Sequence, residues 1–190
     1  MSLQKEVFSG VKWTTISTVT LAFVAMLKIS ILTRFLDKSD FGLMAIVSFV
    51  MGFMDLFNTM GLTSAILHKQ NISRKVYSSL YWFNHFVGLI MFVVLYATSP
   101  FISKFYNEPL LTSLIRIIGL NLILSGLGSM FRTVEIKNLS YKRIGIIDVL
   151  SSVVSLLFAI YFAYNNYGVY ALVYSLLIQY IVSNTLLLLM

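Results

Sequence analysis

Lys28, Asp55, His85, Arg116 and Asp148 are ionisable side chains set inside otherwise apolar stretches of this sequence. Charge near a bilayer centre is costly, so such groups face a protein interior or water, where they pair, relay ions or hold a ligand. Helical rise puts Lys28 about 9 Å from Arg34 and Arg116 about 12 Å from Glu108, both toward one side of a membrane. Asp55 lies about 15 Å from the opposite end of its span, His85 a similar distance from Lys75, and Asp148 about 8 Å from Arg143. Each has a structural alternative. Lys28 and Arg116 are near enough to an interface to snorkel, Asp148 can pair with a base of the neighbouring loop, and His85 can be a packing residue. Asp55 is harder to dismiss, because its side chain is too short to snorkel.

Other chemistry is absent from the sequence. It has no P-loop, HExxH, GxSxG or metal-type cluster. Two distant histidines and no cysteine argue against a zinc site, a thiol nucleophile and disulfides. No cofactor, resident metal or ATP hydrolysis is expected.

These residues need elements that hold them in lipid. Of 190 residues 58% are hydrophobic and 11% charged, and the mean hydropathy is +0.87, outside the range of soluble domains. A span takes about 20 apolar residues. Residues 1–190 therefore read as a single all-α membrane bundle, with helices at about 11–34, 40–66, 76–98, 109–132, 142–164 and 168–190. The first apolar run, Trp13 to Thr33, follows Lys5 and Lys12 as a signal peptide would, but it is longer and lacks a small-residue cleavage site, so it reads as a membrane helix.

The net charge of +7 follows the membrane and gives no reason to expect nucleic acid. Lys5, Lys12, Lys69, Arg74, Lys75, Arg132, Lys137, Lys142 and Arg143 fall on one side, against Arg34, Lys38 and Lys104 on the other. By the positive-inside rule both termini are expected in the cytoplasm. Trp13, Tyr77, Tyr81 and Trp82 are expected as anchors at the inner interface, with Tyr96, Phe101, Tyr106, Tyr164 and Tyr167 at the outer one. Pro100 and Pro109 bracket an outer loop, so no helix is expected to contain proline, and any bend is expected at glycines such as Gly126 and Gly128. The sequons at Asn71 and Asn138 lie in loops expected in the cytoplasm and read as chance.

Small and polar residues recur at helical spacing in each span. The rows are Thr14, Thr18, Ala22, Ala25 and Lys28; Ser48, Gly52, Asp55 and Thr59; Tyr81, His85 and Gly88 with Asn84; Asn121, Ser125 and Gly128; Asp148, Ser152, Ser155, Ala159 and Ala163; and Ala171, Ser175, Gln179 and Ser183. Each span is expected to have one face turned from lipid. Close helix packing explains small residues without any pathway.

The chain resembles Wzx-type polysaccharide flippases, of the multidrug/oligosaccharidyl-lipid/polysaccharide exporter superfamily. The resemblance is carried by Ile31-Leu-Thr-Arg-Phe-Leu-Asp37 with Asp40-Phe-Gly42, by Gly61-Leu-Thr-Ser-Ala-Ile66 and Phe105-Tyr-Asn107, and by Tyr141-Lys-Arg-Ile144 and Gly168-Val-Tyr-Ala-Leu172. It implies one lobe of a machine of about 12 to 14 helices in two bundles, with the substrate path between them. The sequence stops within the apolar run Leu186–Met190, so a missing C-terminal bundle or a second copy is expected as partner. The implied activity is transport, not catalysis. A polyprenyl-pyrophosphate-linked oligosaccharide would cross the bacterial inner membrane for lipopolysaccharide, O-antigen or exopolysaccharide synthesis, with membrane lipids around the tail. Lys28 and Arg116 are the expected phosphate contacts and Asn121 and Gln179 further substrate contacts. Asp55 and His85 are the expected set for coupling to protons or sodium.

Two other readings stay open beside it. A drug or small-cation exporter of the same superfamily should favour acidic cavity residues, and Lys28 and Arg116 weigh against it. A non-transporting fragment or assembly partner would keep the bundle without the activity. A membrane enzyme acting on lipid-linked sugars would need a large loop with catalytic acids, whereas the 99–108 region offers only Glu108.

Overall fold

The computed structural model describes residues 3–59 and 74–189. The Gly61–Ile66 motif, Lys69 and the Asn71 sequon lie outside the described residues, as do the side chains of Thr59 and Tyr77. Among the described residues the chain is helical throughout. The helices are α1 (Leu3–Leu32), α2 (Lys38–Thr59), α3 (Arg74–Tyr106), α4 (Leu110–Lys137), α5 (Tyr141–Tyr164) and α6 (Tyr170–Leu189). Five are long and apolar enough to cross a membrane, and α4 makes six when its two segments count as one span. In hydrocarbon every backbone group needs an internal partner, which an uninterrupted helix supplies.

The helices alternate in direction, so the bundle has two ends. The near end carries the chain start, the beginning of α3 and the α4–α5 turn. The far end carries the α1–α2, α3–α4 and α5–α6 turns. Tight turns set this alternation. After α3, α4 and α5 the chain enters the left-handed region at Asn107, Leu139 and Asn166. The next amide then reaches back five residues: Glu108 N to Ser103 O at 3.0 Å, Ser140 N to Glu135 O at 2.9 Å and Tyr167 N to Phe162 O at 3.2 Å. These Schellman closures satisfy carbonyls that a helix end would leave bare.

Close backbone approach fixes α3 against α4. A Cβ at Gly88 would run into the Leu122 carbonyl, and one at Gly126 would stand 3.0 Å from the His85 Cα. Elsewhere α1 packs on α5, α6 packs on α4 and α5, and α2 makes lighter contact with α3 and α4. Lys142 Nζ sits 5.2 Å from the Trp13 ring centre, which ties α1 to α5 at the near end.

One expectation about proline is overturned. Pro100 lies inside α3, which runs on to Tyr106. Proline cannot donate to the carbonyl four residues back. Here the Ser99 hydroxyl donates to that Tyr96 carbonyl at 2.8 Å, so the helix continues without a bare acceptor. The glycine bend does occur: α4 turns by 47° between Gly126 and Gly128.

The apolar core occupies the far half. Leu43, Val47, Leu95, Leu111, Leu114, Ile115 and Val173 form one buried cluster, and Leu32, Leu36, Ala159, Ala163, Ala171 and Leu172 form another. In α1 the row that meets the bundle is Gly10, Trp13, Ser17, Val24 and Lys28, whereas Thr14, Thr18, Ala22 and Ala25 are exposed. The two rows lie roughly one residue, about 100°, apart around the helix, and Lys28 stands on their border. Ser48 and Gly52 of α2 are exposed as well.

Candidate functional site

Lys28 reaches from α1 into the seam between α5 and α6. Its Nζ donates to Ser155 Oγ at 3.0 Å and to Ser175 Oγ at 2.8 Å. Both hydroxyls are themselves donors, Ser155 to the Ser175 carbonyl and Ser175 to the Leu172 carbonyl, each at 2.8 Å. This orients their lone pairs toward the ammonium. Among the described residues no carboxylate forms an ion pair with Lys28. Two hydroxyls satisfy two of its three N–H groups and leave the charge uncompensated.

Arg116 is placed differently. Its Nε donates to Ser99 Oγ at 3.0 Å, and its guanidinium carbon lies 4.2 Å from the centre of the Tyr96 ring. Arginine, tyrosine and serine thus close the gap that Pro100 opens in α3. This is a structural employment for a residue expected to meet phosphate.

Asp55 lines a cavity of about 180 Å³ between α2, α4 and α6, together with Ser48, Gly52, Asn121 and Tyr180. Asn121 is 3% exposed, and its Oδ1 has no hydrogen-bond partner among the described residues. His85, expected to act with Asp55, does not line this cavity. Its ring stands edge-on to Trp82 with centroids 6.3 Å apart, and its Nδ1 is buried without a partner among the described residues.

A larger cavity, about 360 Å³, lies in the near half between α4, α5 and α6. Arg132 and Asp148 form a two-pronged pair on its wall, Nη1 to Oδ1 and Nη2 to Oδ2, both at 2.7 Å. This is the neighbouring base expected for Asp148. The α4–α5 turn explains it, since the two residues stand at equal distances along the chain from Ser140 and an antiparallel hairpin brings them level. Gln179 lines the same cavity and its side chain makes no hydrogen bond to another described residue, and the Ser183 side chain beside it likewise.

Asn184 and Ser129 complete the wall, and sequence reasoning had singled out neither. Asn184 Nδ2 donates to the Leu124 carbonyl at 2.8 Å, beside the bend of α4, where a Cβ at Gly128 would collide with it. Ser129 receives a hydrogen bond from Asn84. A readable signal existed, because Ser125, Ser129 and Arg132 continue the polar row of α4 at helical spacing. Among the described residues no group of histidines and carboxylates has the arrangement of a metal site.

The model of a family described as polysaccharide biosynthesis protein matches residues 31–190. The lipopolysaccharide biosynthesis protein WzxC of Escherichia coli (strain K12) is 29% identical over 78% of this chain and 30% of its own length. The teichuronic acid biosynthesis protein TuaB of Bacillus subtilis (strain 168) is 28% identical over 98% of this chain and 37% of its own. An uncharacterized membrane protein in the cps region of Klebsiella pneumoniae is 33% identical over 82% of this chain and 31% of its own. The chain therefore spans about a third of the length of these curated relatives. No solved structure matches it. Its apolar helices and these relatives make it a multi-pass membrane protein.

Proposed function

Because this chain belongs to the polysaccharide biosynthesis protein family, we propose that it is one lobe of a flippase. In this reading the protein moves an oligosaccharide linked through pyrophosphate to a polyprenyl lipid across the bacterial inner membrane, as a transporter and not an enzyme. Both termini face the cytoplasm. A second bundle, supplied by further chain or by a second copy, covers the exposed polar row of α1 and the Ser48 and Gly52 face of α2.

The observation that carries this reading is Lys28. Hydroxyl dipoles satisfy two of its three donors without cancelling its charge, so it keeps its attraction for a phosphate in a low-dielectric site. It also borders the exposed Thr14 and Thr18 row, the face on which a headgroup would pass. Arg116 is the weaker phosphate contact, because Ser99 and Tyr96 already engage it. Asn121 and Gln179 suit sugar hydroxyls. Asp55 is the group for proton or sodium coupling, with His85 acting apart from it.

The test is transport by the full-length protein. Lys28→Gln should lower the rate at least about tenfold, the worth of one charge-assisted contact, and Lys28→Arg should restore most of it. Equal loss of membrane insertion and transport in Lys28→Gln would make Lys28 structural. A rate indifferent to proton and sodium gradients would remove the coupling role of Asp55.

A further inference from the structure

The near-half cavity has a chemistry of its own. Among the described residues its only charged lining groups, Arg132 and Asp148, neutralise each other, so they offer no net attraction to a simple anion or cation. The pair is nonetheless not used up. Arg132 retains three of its five N–H donors, and each carboxylate oxygen keeps a further lone pair. Gln179 and Ser183 add an amide and a hydroxyl without partners among the described residues. Tyr180 stands in the lining as well. Unpaired polar groups at membrane depth need water or a ligand, and a volume of about 360 Å³ is that of a small-molecule pocket.

We propose that this cavity is a binding site for one neutral, hydroxyl-rich ring, the size and chemistry of a single monosaccharide unit. Vicinal hydroxyls both donate and accept, and the Arg132–Asp148 fork beside Gln179 and Ser183 presents that mixture. A carbon–hydrogen face of the ring would lie on Tyr180. The site begins one helical turn nearer the chain start of α5, and one turn later in α6, than the Ser155–Ser175 seat of Lys28. It would therefore read a sugar and not a phosphate. The class of ligand rests on the flippase reading, whereas the existence of the site rests on the cavity alone.

The chain has no cysteine, so single cysteines report without background. Ser183→Cys and Gln179→Cys would be made in the 190-residue chain, reconstituted in lipid nanodiscs and reacted with a charged, membrane-impermeant methanethiosulfonate. Both should label. A free neutral hexose at about ten times its Kd should slow labelling about tenfold by occupancy, and sodium sulfate or tetramethylammonium at the same concentration should not. Slowing of Ser183→Cys labelling by hexose should fall when Gln179→Ala is added. No labelling, or labelling that glucose, galactose and mannose leave unchanged to about 0.1 M, overturns the proposal. Equal slowing by the salts does so too. Flipping is read separately in the full-length protein, where failure to flip lipid-linked sugar with this protection intact would refute the transport reading and leave the site standing.

Discussion

In the far half Leu32, Leu95, Leu111, Leu114, Ile115 and Val47 are fully enclosed, and Arg116 is held by Ser99 and the Tyr96 ring. In the near half α4, α5 and α6 instead surround open space with Ser129, Arg132, Asp148, Gln179 and Ser183. The bundle thus seals one end with interlocked apolar side chains and leaves the other end polar. A dense apolar core has one packing and resists rearrangement, whereas hydrogen bonds to water can be exchanged for hydrogen bonds to a ligand. The far half holds the bundle together, and the near half is where its chemistry can change.

That contrast can be broken most forcefully at the ion pair. Asp148→Asn or Arg132→Met alone leaves a charge without its partner and should cost up to about 5 kcal/mol, reduced by the partial exposure of the Arg132 side chain, read as a lower unfolding midpoint in detergent. Replacing both by apolar residues should recover most of this loss, since the pair's worth lies in not being broken. The far half should answer next. Leu114→Ala, at a fully enclosed site, should cost about 2–5 kcal/mol in the same measurement without altering cysteine labelling at Ser183→Cys.

A smaller effect is expected at the proline. Ser99→Ala removes both the hydroxyl that serves the Tyr96 carbonyl and the acceptor for Arg116, and should cost about 1–3 kcal/mol. Ser99→Thr should recover it. Smallest of all, Thr18→Leu on the exposed row of α1 should change stability of the isolated chain by about 0.5 kcal/mol or less. The same change should lower transport by the full-length protein, because a bulky apolar group would stand on the proposed path. A large stability loss there would mean that this face is packed within the bundle.

Much of the fold was legible. Hydropathy is a sum over neighbours along the chain, so the apolar spans could be read before any contact was known, and Gly126 and Gly128 marked where α4 bends. The site was legible only in pieces. Asp148 with a nearby base followed from a short turn, because a hairpin fixes which residues stand level. Pro100 misled, since a proline near a helix end reads as a stop unless a hydroxyl such as that of Ser99 takes over the orphaned carbonyl.

By itself the sequence determined that this protein is a bundle of apolar helices, each with a row of small or polar residues and with a few charges inside the membrane region. Tertiary structure alone decided which rows meet. It turned Lys28 toward Ser155 and Ser175, set Arg116 against Tyr96, kept His85 out of the Asp55 cavity and left the Thr14 row facing outward. The reason is geometric: the rotation of each helix about its axis and its height against its neighbours come from contacts such as Gly88 on Leu122. Such contacts join residues far apart in the chain, where a local periodicity carries no record of its partner.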